Sequence, residues 1–170
     1  SSDVCSSDLD QAIDAGEIGS SVTIVASNQL QIVVPAGNPA GVSGIEDFDN
    51  SSLLLGLCNP EVPCGQFALE ILAEAGVIPQ PDTEETDVRS LLRKVATGEL
   101  DAGIVYVTDV LSAGEDVRGI ALPANLNRSL AYGVAVTERS EDPELAQAFI
   151  EFLASPEGRR LFEQRGFIGP

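Results

Sequence analysis

Two runs of this chain are apolar without alternation: Leu53 to Leu57 and Gly103-Ile-Val-Tyr-Val107. A strand that faces water on one side alternates apolar and polar residues, whereas a strand covered on both faces does not. Between the two runs lie segments with helical spacing. From Pro63 to Ala75 the apolar residues Phe67, Ala68, Ile71, Leu72 and Ala75 form one stripe. Pro63 suits a first helical turn, and Gly76 suits the position just past a helix end. Buried strands alternating with helices of about three turns specify an α/β protein with a parallel or mixed sheet.

The remaining elements follow the same grammar. Val22–Val25 and Gln29–Val34 read as strands, the second ending in the turn cluster Pro35-Ala-Gly-Asn-Pro39. A helix is expected from Asp87 to Thr97, with Thr86 as N-cap, Leu91, Leu92 and Val95 on its apolar face and Gly98 stopping it. Gly119–Leu122 and Ala131–Val136 are further strands. Helices begin at Asp142-Pro143 and at Ser155-Pro156, the latter ending at Gly166.

The charge excludes whole classes of function. Among 170 residues, 27 acids stand against 9 bases with no His, a formal charge of −18. Nucleic-acid binding needs basic surface to replace counterions, and docking on anionic lipid needs the same. Residues 37–127 hold 15 of the acids and only 4 bases. No run of 18 apolar residues is present to span a membrane. Without His, the commonest general base and zinc ligand are missing. Asp101, Asp109 and the pair Glu84-Glu85 read as solvated surface carboxylates, and no nucleophile–base set accompanies them. The reading is therefore of a protein that is not an enzyme.

The first nine residues, Ser1 to Leu9, have neither the basic nor the apolar region of a signal peptide. Val4 to Leu9 resembles the translation of a sequencing-adapter end. Residues 1–9, Cys5 included, are set aside as a non-native or disordered leader. There is no Met, and the chain is expected to be an N-terminally truncated piece.

Three stretches together resemble the periplasmic molybdate-binding proteins of ABC importers. They are Asn59-Pro-Glu-Val-Pro-Cys-Gly65, Asp87-Val88-Arg89, and Gly103-Ile-Val-Tyr106 followed by Asp109. Leu30 to Pro39 and the ending Ser155-Pro-Glu-Gly through Arg165-Gly-Phe167 are similar to further parts of that family. The resemblance runs from about residue 10 to the end. It implies the two-lobed, type II periplasmic-binding-protein-like α/β fold, with the ligand held between lobes. Residues 37–127 would be the complete second lobe, and residues 10–36 and 128–170 parts of the first. About 60–70 residues of the family's first lobe, with its two serine-containing loops, have no counterpart here.

The implied function is the substrate-binding component of an importer, taking molybdate or tungstate and presenting it to a membrane permease. Another oxyanion, such as sulfate or phosphate, and an effector-sensing domain of a transcription regulator are the alternatives. The implied location is the periplasm or the outer face of the cell membrane, with a lipid anchor an option for the full-length parent. No cofactor, no direct metal ligand and no nucleic acid are implied, and the protein would be a monomer. Carried over by motif, the ligand-binding residues are Cys64, Val88 and Tyr106. A helix's first turn leaves N–H groups without intrahelical acceptors and with partial positive charge, so two helix ends can hold a dianion. Cys64 and Val88 would supply such N–H groups, Thr86 as N-cap placing Val88 at about the second helical position. Tyr106 would add a phenol donor. Arg89 reads as a solvated arginine, since adjacent helical residues point about 100° apart. Cys58 and Cys64 bracket the first motif. Zinc and nucleophile roles lack partners, and a disulfide suits an exported protein.

Overall fold

A computed structural model describes residues 6–19 and 21–170. Cys5 lies outside the described residues. The elements in chain order are α1 (Ser6–Asp14), β1 (Thr23–Asn28), β2 (Leu30–Pro35), β3 (Leu55–Cys58), α2 (Pro63–Glu74), β4 (Thr83–Glu85), α3 (Val88–Ala96), β5 (Ala102–Tyr106), α4 (Val107–Ala113), β6 (Val117–Ala121), β7 (Leu130–Val134), α5 (Pro143–Ala154) and α6 (Pro156–Glu163). The chain divides into two compact units, one holding Gln29–Arg128 and the other the residues before and after it.

The Gln29–Arg128 unit is a five-stranded mixed sheet in the order β4-β3-β5-β2-β6. β3 runs parallel to β4 and β5, while β2 runs antiparallel to β5 and β6. The two apolar runs are thus β3 and β5, interior strands of this sheet. The expected lobe boundary after residue 36 needs correction. β2 lies between β5 and β6 and carries the fully buried Leu30, Ile32 and Val33, so the division falls between Asn28 and Gln29. The core runs through Phe48, Leu57, Ile71, Leu72, Leu91, Val95 and Ile104.

Two glycines set how closely α3 approaches the sheet. Gly56 of β3 and Gly103 of β5 are register partners. A Cβ on Gly56 would meet Leu91 Cδ1 at 2.5 Å, and one on Gly103 would meet the same atom at 3.1 Å. Leu91 therefore sits over a backbone floor, and α3 is drawn down onto β3 and β5.

The other unit pairs β1 with β7 antiparallel, with Asn28 opposite Leu130 and a bulge between Ile24 and Ala26. Asp142 and Ser155 cap α5 and α6, accepting from the N–H groups of Leu145 and Gly158. Ser6–Leu9, set aside as leader, form the first residues of α1. The buried apolar residues described here are Ile18, Val25, Ala26, Leu130 and Ile150. Leu145, Phe149, Phe152, Leu161 and Ile168 are exposed.

A two-stranded sheet with so small a buried set has little to hold it. Native-state hydrogen exchange should find β1 and β7 amides opening at lower free energy than those of β2 and β5. Equal protection in both units would contradict this.

Candidate functional site

The first motif is a loop feeding a helix. Asn59 Oδ1 accepts from Glu61 N–H at 2.8 Å, and Asn59 N–H donates to Glu85 O at 2.7 Å, tying the loop to β4. Pro63 opens α2, and its N-cap, Val62, provides no side-chain cap. The Gly65 and Gln66 N–H groups donate to Val62 O at 3.0 and 3.1 Å. Pro63 has no N–H, so the Cys64 N–H is the first-turn donor outside these bonds. No acidic residue stands in that first turn to offset its partial positive charge. Gly65 is dictated by crowding: a Cβ there would lie 2.1 Å from Asn59 O and 2.5 Å from Cys58 O.

The second motif opens α3, and here the N-cap is Asp87 rather than Thr86. Its Oδ1 accepts from Ser90 N–H at 2.9 Å and its Oδ2 from Ser90 Oγ at 2.8 Å. Val88 is consequently the first helical residue, not the second. The cap also takes the Arg89 N–H, and these bonds hold the Asp87 carboxyl below its ordinary pKa. The Val88 N–H is not among the groups this cap satisfies. Asp ranks above Thr as an N-cap, so the adjacent Thr86-Asp87 pair carried the signal for this correction.

The third motif ends β5 at Tyr106, which is also the N-cap of α4, a helix absent from the sequence reading. Tyr106 N–H donates to Asp109 Oδ2 at 3.1 Å. That bond ends the strand at Tyr106, whose half-buried side chain packs against the core. Asp109 is the residue that sequence reasoning placed wrongly. It is half-buried, and burial raises its pKa above the ordinary value, while the Tyr106 N–H and the Arg89 charge act in the opposite direction. Its own charge acts on Cys64.

Arg89 is exposed, as expected. Asp101 has a structural role, accepting from Leu54 N–H at 2.8 Å. Glu85 pairs with Lys94 and accepts from Thr83 Oγ1, and Glu84 is exposed.

Cys58 and Cys64 are both buried free thiols in this structure, and the disulfide expected between them is not formed. Cys64 Sγ is turned to donate to Ile104 O at 3.5 Å. A hydrogen bond with Cys58, then burial, push the Cys64 thiol far up, so it stays protonated. Among the described residues no cluster of His, Cys, Asp or Glu is arranged to hold a metal ion. No described helix is long and apolar enough to cross a membrane.

A family model described as bacterial extracellular solute-binding protein matches residues 4–168. The chain belongs to that family. Among solute-binding relatives, the molybdate-binding protein ModA of Mycobacterium tuberculosis is 35% identical over 162 residues, 95% of this chain and 62% of that protein. The putative ABC transporter substrate-binding lipoprotein YvgL of Bacillus subtilis is 28% identical over 160 residues, 91% of this chain and 61% of that one. This chain thus spans a little over three fifths of each. The fold matches the substrate-binding domain of a putative molybdenum ABC transporter from Clostridium difficile. The TM-score is 0.77 at 22% identity, covering 95% of this chain and 72% of that one. The α/β fold class of type II periplasmic binding proteins, expected from the three motifs, holds for this chain.

Proposed function

We propose that this chain is part of the extracytoplasmic substrate-binding component of an ABC importer, and that it binds molybdate or tungstate. The observation that carries this reading is the pair of helix N-termini that open α2 and α3. At each, the local bonds leave aside one N–H, that of Cys64 on α2 and that of Val88 on α3. Two such donors suit a tetrahedral dianion, and with Tyr106 they form a partial ligand set needing no basic side chain. In a chain of charge −18, local donors of this kind are the physical solution, because the overall field repels anions. The mycobacterial relative named for molybdate binding directs the choice among oxyanions. The partner that follows is a membrane permease, the site is the outer side of the membrane, and the role is binding rather than catalysis.

Calorimetry with molybdate, tungstate, sulfate and phosphate tests this. It is run on the chain itself and on the chain extended N-terminally with the opening segment of the mycobacterial relative. Molybdate and tungstate should bind most tightly to the extended protein. Tight sulfate binding with no molybdate heat would overturn the proposal. In the same assay Tyr106→Phe should weaken molybdate by about 1.5–3 kcal/mol, one hydrogen bond to a charged oxygen. Unchanged affinity would remove Tyr106 from the ligand set.

A further inference from the structure

Two sulfurs come together where β3 ends and α2 begins. Cys58 is the last residue of β3 and Cys64 the second of α2. Three contacts fix their places. β3 runs parallel to β5 with Gly56 opposite Gly103, and continuing that register sets Cys58 level with Val105, the neighbour of Ile104. Adjacent strands lie about 4.8 Å apart. Cys64 Sγ donates to Ile104 O at 3.5 Å, which seats it on the same pair of strands beside Cys58. The backbones also touch, since a Cβ on Gly65, the residue after Cys64, would lie 2.5 Å from Cys58 O. Cys58 is 1% exposed and Cys64 4%, both within one apolar core, and their thiols share a hydrogen bond.

We propose that Cys58 and Cys64 are a redox pair, shown here in its reduced form, which a disulfide oxidant closes to a disulfide that fixes the loop carrying the Cys64 N–H. The effect on ligand rests on the oxyanion reading above, and the bond itself does not. In the exchange one cysteine sulfur attacks the oxidant's S–S bond and the other displaces the mixed disulfide so formed. The Cys58–Cys64 bond forms, the oxidant's S–S bond breaks, and two electrons and two protons leave with the oxidant as its pair of thiols. Both sulfurs are buried, so the exchange runs before the chain folds or when the first turn of α2 opens. The outer side of the membrane, proposed above for this chain, is where such oxidants act. The loop is already tied at one end, by Asn59 N–H to Glu85 O. The disulfide ties its other end, at the residue whose N–H is the proposed donor.

The test uses the chain with Cys5→Ser, so that only this pair is present. It is refolded from urea with dithiothreitol or with a mixture of reduced and oxidised glutathione. Cleavage at Glu61, between the two cysteines, should leave the halves joined in the oxidised sample and separate them once it is reduced. The oxidised monomer should unfold at a higher urea concentration than the reduced one. Cys58→Ala and Cys64→Ala, each compared with itself under the two conditions, should lose that difference. In the N-terminally extended protein the oxidised form should bind molybdate about two- to ten-fold more tightly, because the loop is ordered beforehand.

Halves that separate without reductant overturn the proposal, and so does a cross-link that lowers the urea midpoint. A stabilising cross-link that leaves molybdate affinity unchanged overturns its coupling to the ligand loop. If neither form binds any oxyanion, the binding reading fails, and cleavage and unfolding still decide whether the pair closes.

Discussion

Gly65→Ala should lower the urea midpoint sharply with an unchanged slope, a loss of about 3 kcal/mol or more. The added Cβ would lie 2.1 Å from Asn59 O and 2.5 Å from Cys58 O. Both are backbone atoms, and neither rotates aside as a side-chain tip would. Cys58 ends β3, and Asn59 is tied to Glu85 of β4, so the loop has no direction in which to yield. The start of α2 must move instead, carrying the Cys64 N–H with it. Gly76→Ala is the control. That glycine follows α2 at φ 74° with nothing within 4 Å of a Cβ, so only left-handed strain is added, about 1 kcal/mol. If the two variants lose equal stability, crowding does not explain the glycine of the Pro-Cys-Gly motif.

What the sequence made legible follows from where the physics is local. The apolar runs became β3 and β5, and the Pro63 and Gly76 signals bounded α2, because capping and burial on both faces act within a few residues. The β2 strand was found, but its unit was not. Its pairing with β5 and β6 depends on residues some 70 to 90 positions away, which no local pattern reveals. α4 was missed because its seven residues follow β5 without a break and bury none of their side chains fully. The same gap concealed Asp109: read as an acid in a strand-to-loop region it looked like surface, yet as the third residue of α4 it accepts the Tyr106 amide. Asp87 shows the finer limit. Two adjacent capping residues competed, and choosing Thr86 displaced Val88 by one helical position.

That single position for Val88 sharpens the second large expected effect, because it allows the donor to be removed without the helix. Proline is well tolerated as the first residue of a helix, where its missing N–H has no intrahelical acceptor to lose. The residue before it must be extended, and Asp87 already has φ −146° and ψ 150°. Val88→Pro should therefore fold, keep the Asp87–Ser90 cap, and remove the N–H proposed for the oxyanion. Molybdate affinity in the extended protein should fall by about 1.5–3 kcal/mol, the range for a hydrogen bond to a charged group. Val88→Ala keeps the amide and trims a half-buried side chain packed on the core, so it should lose some stability and little affinity. The proline's circular dichroism and unfolding midpoint establish that α3 is intact before affinity is compared. A folded Val88→Pro that binds molybdate as wild type does would mean that the α3 terminus does not reach the anion. Equal losses in Pro and Ala would assign the effect to the side chain instead of the backbone donor.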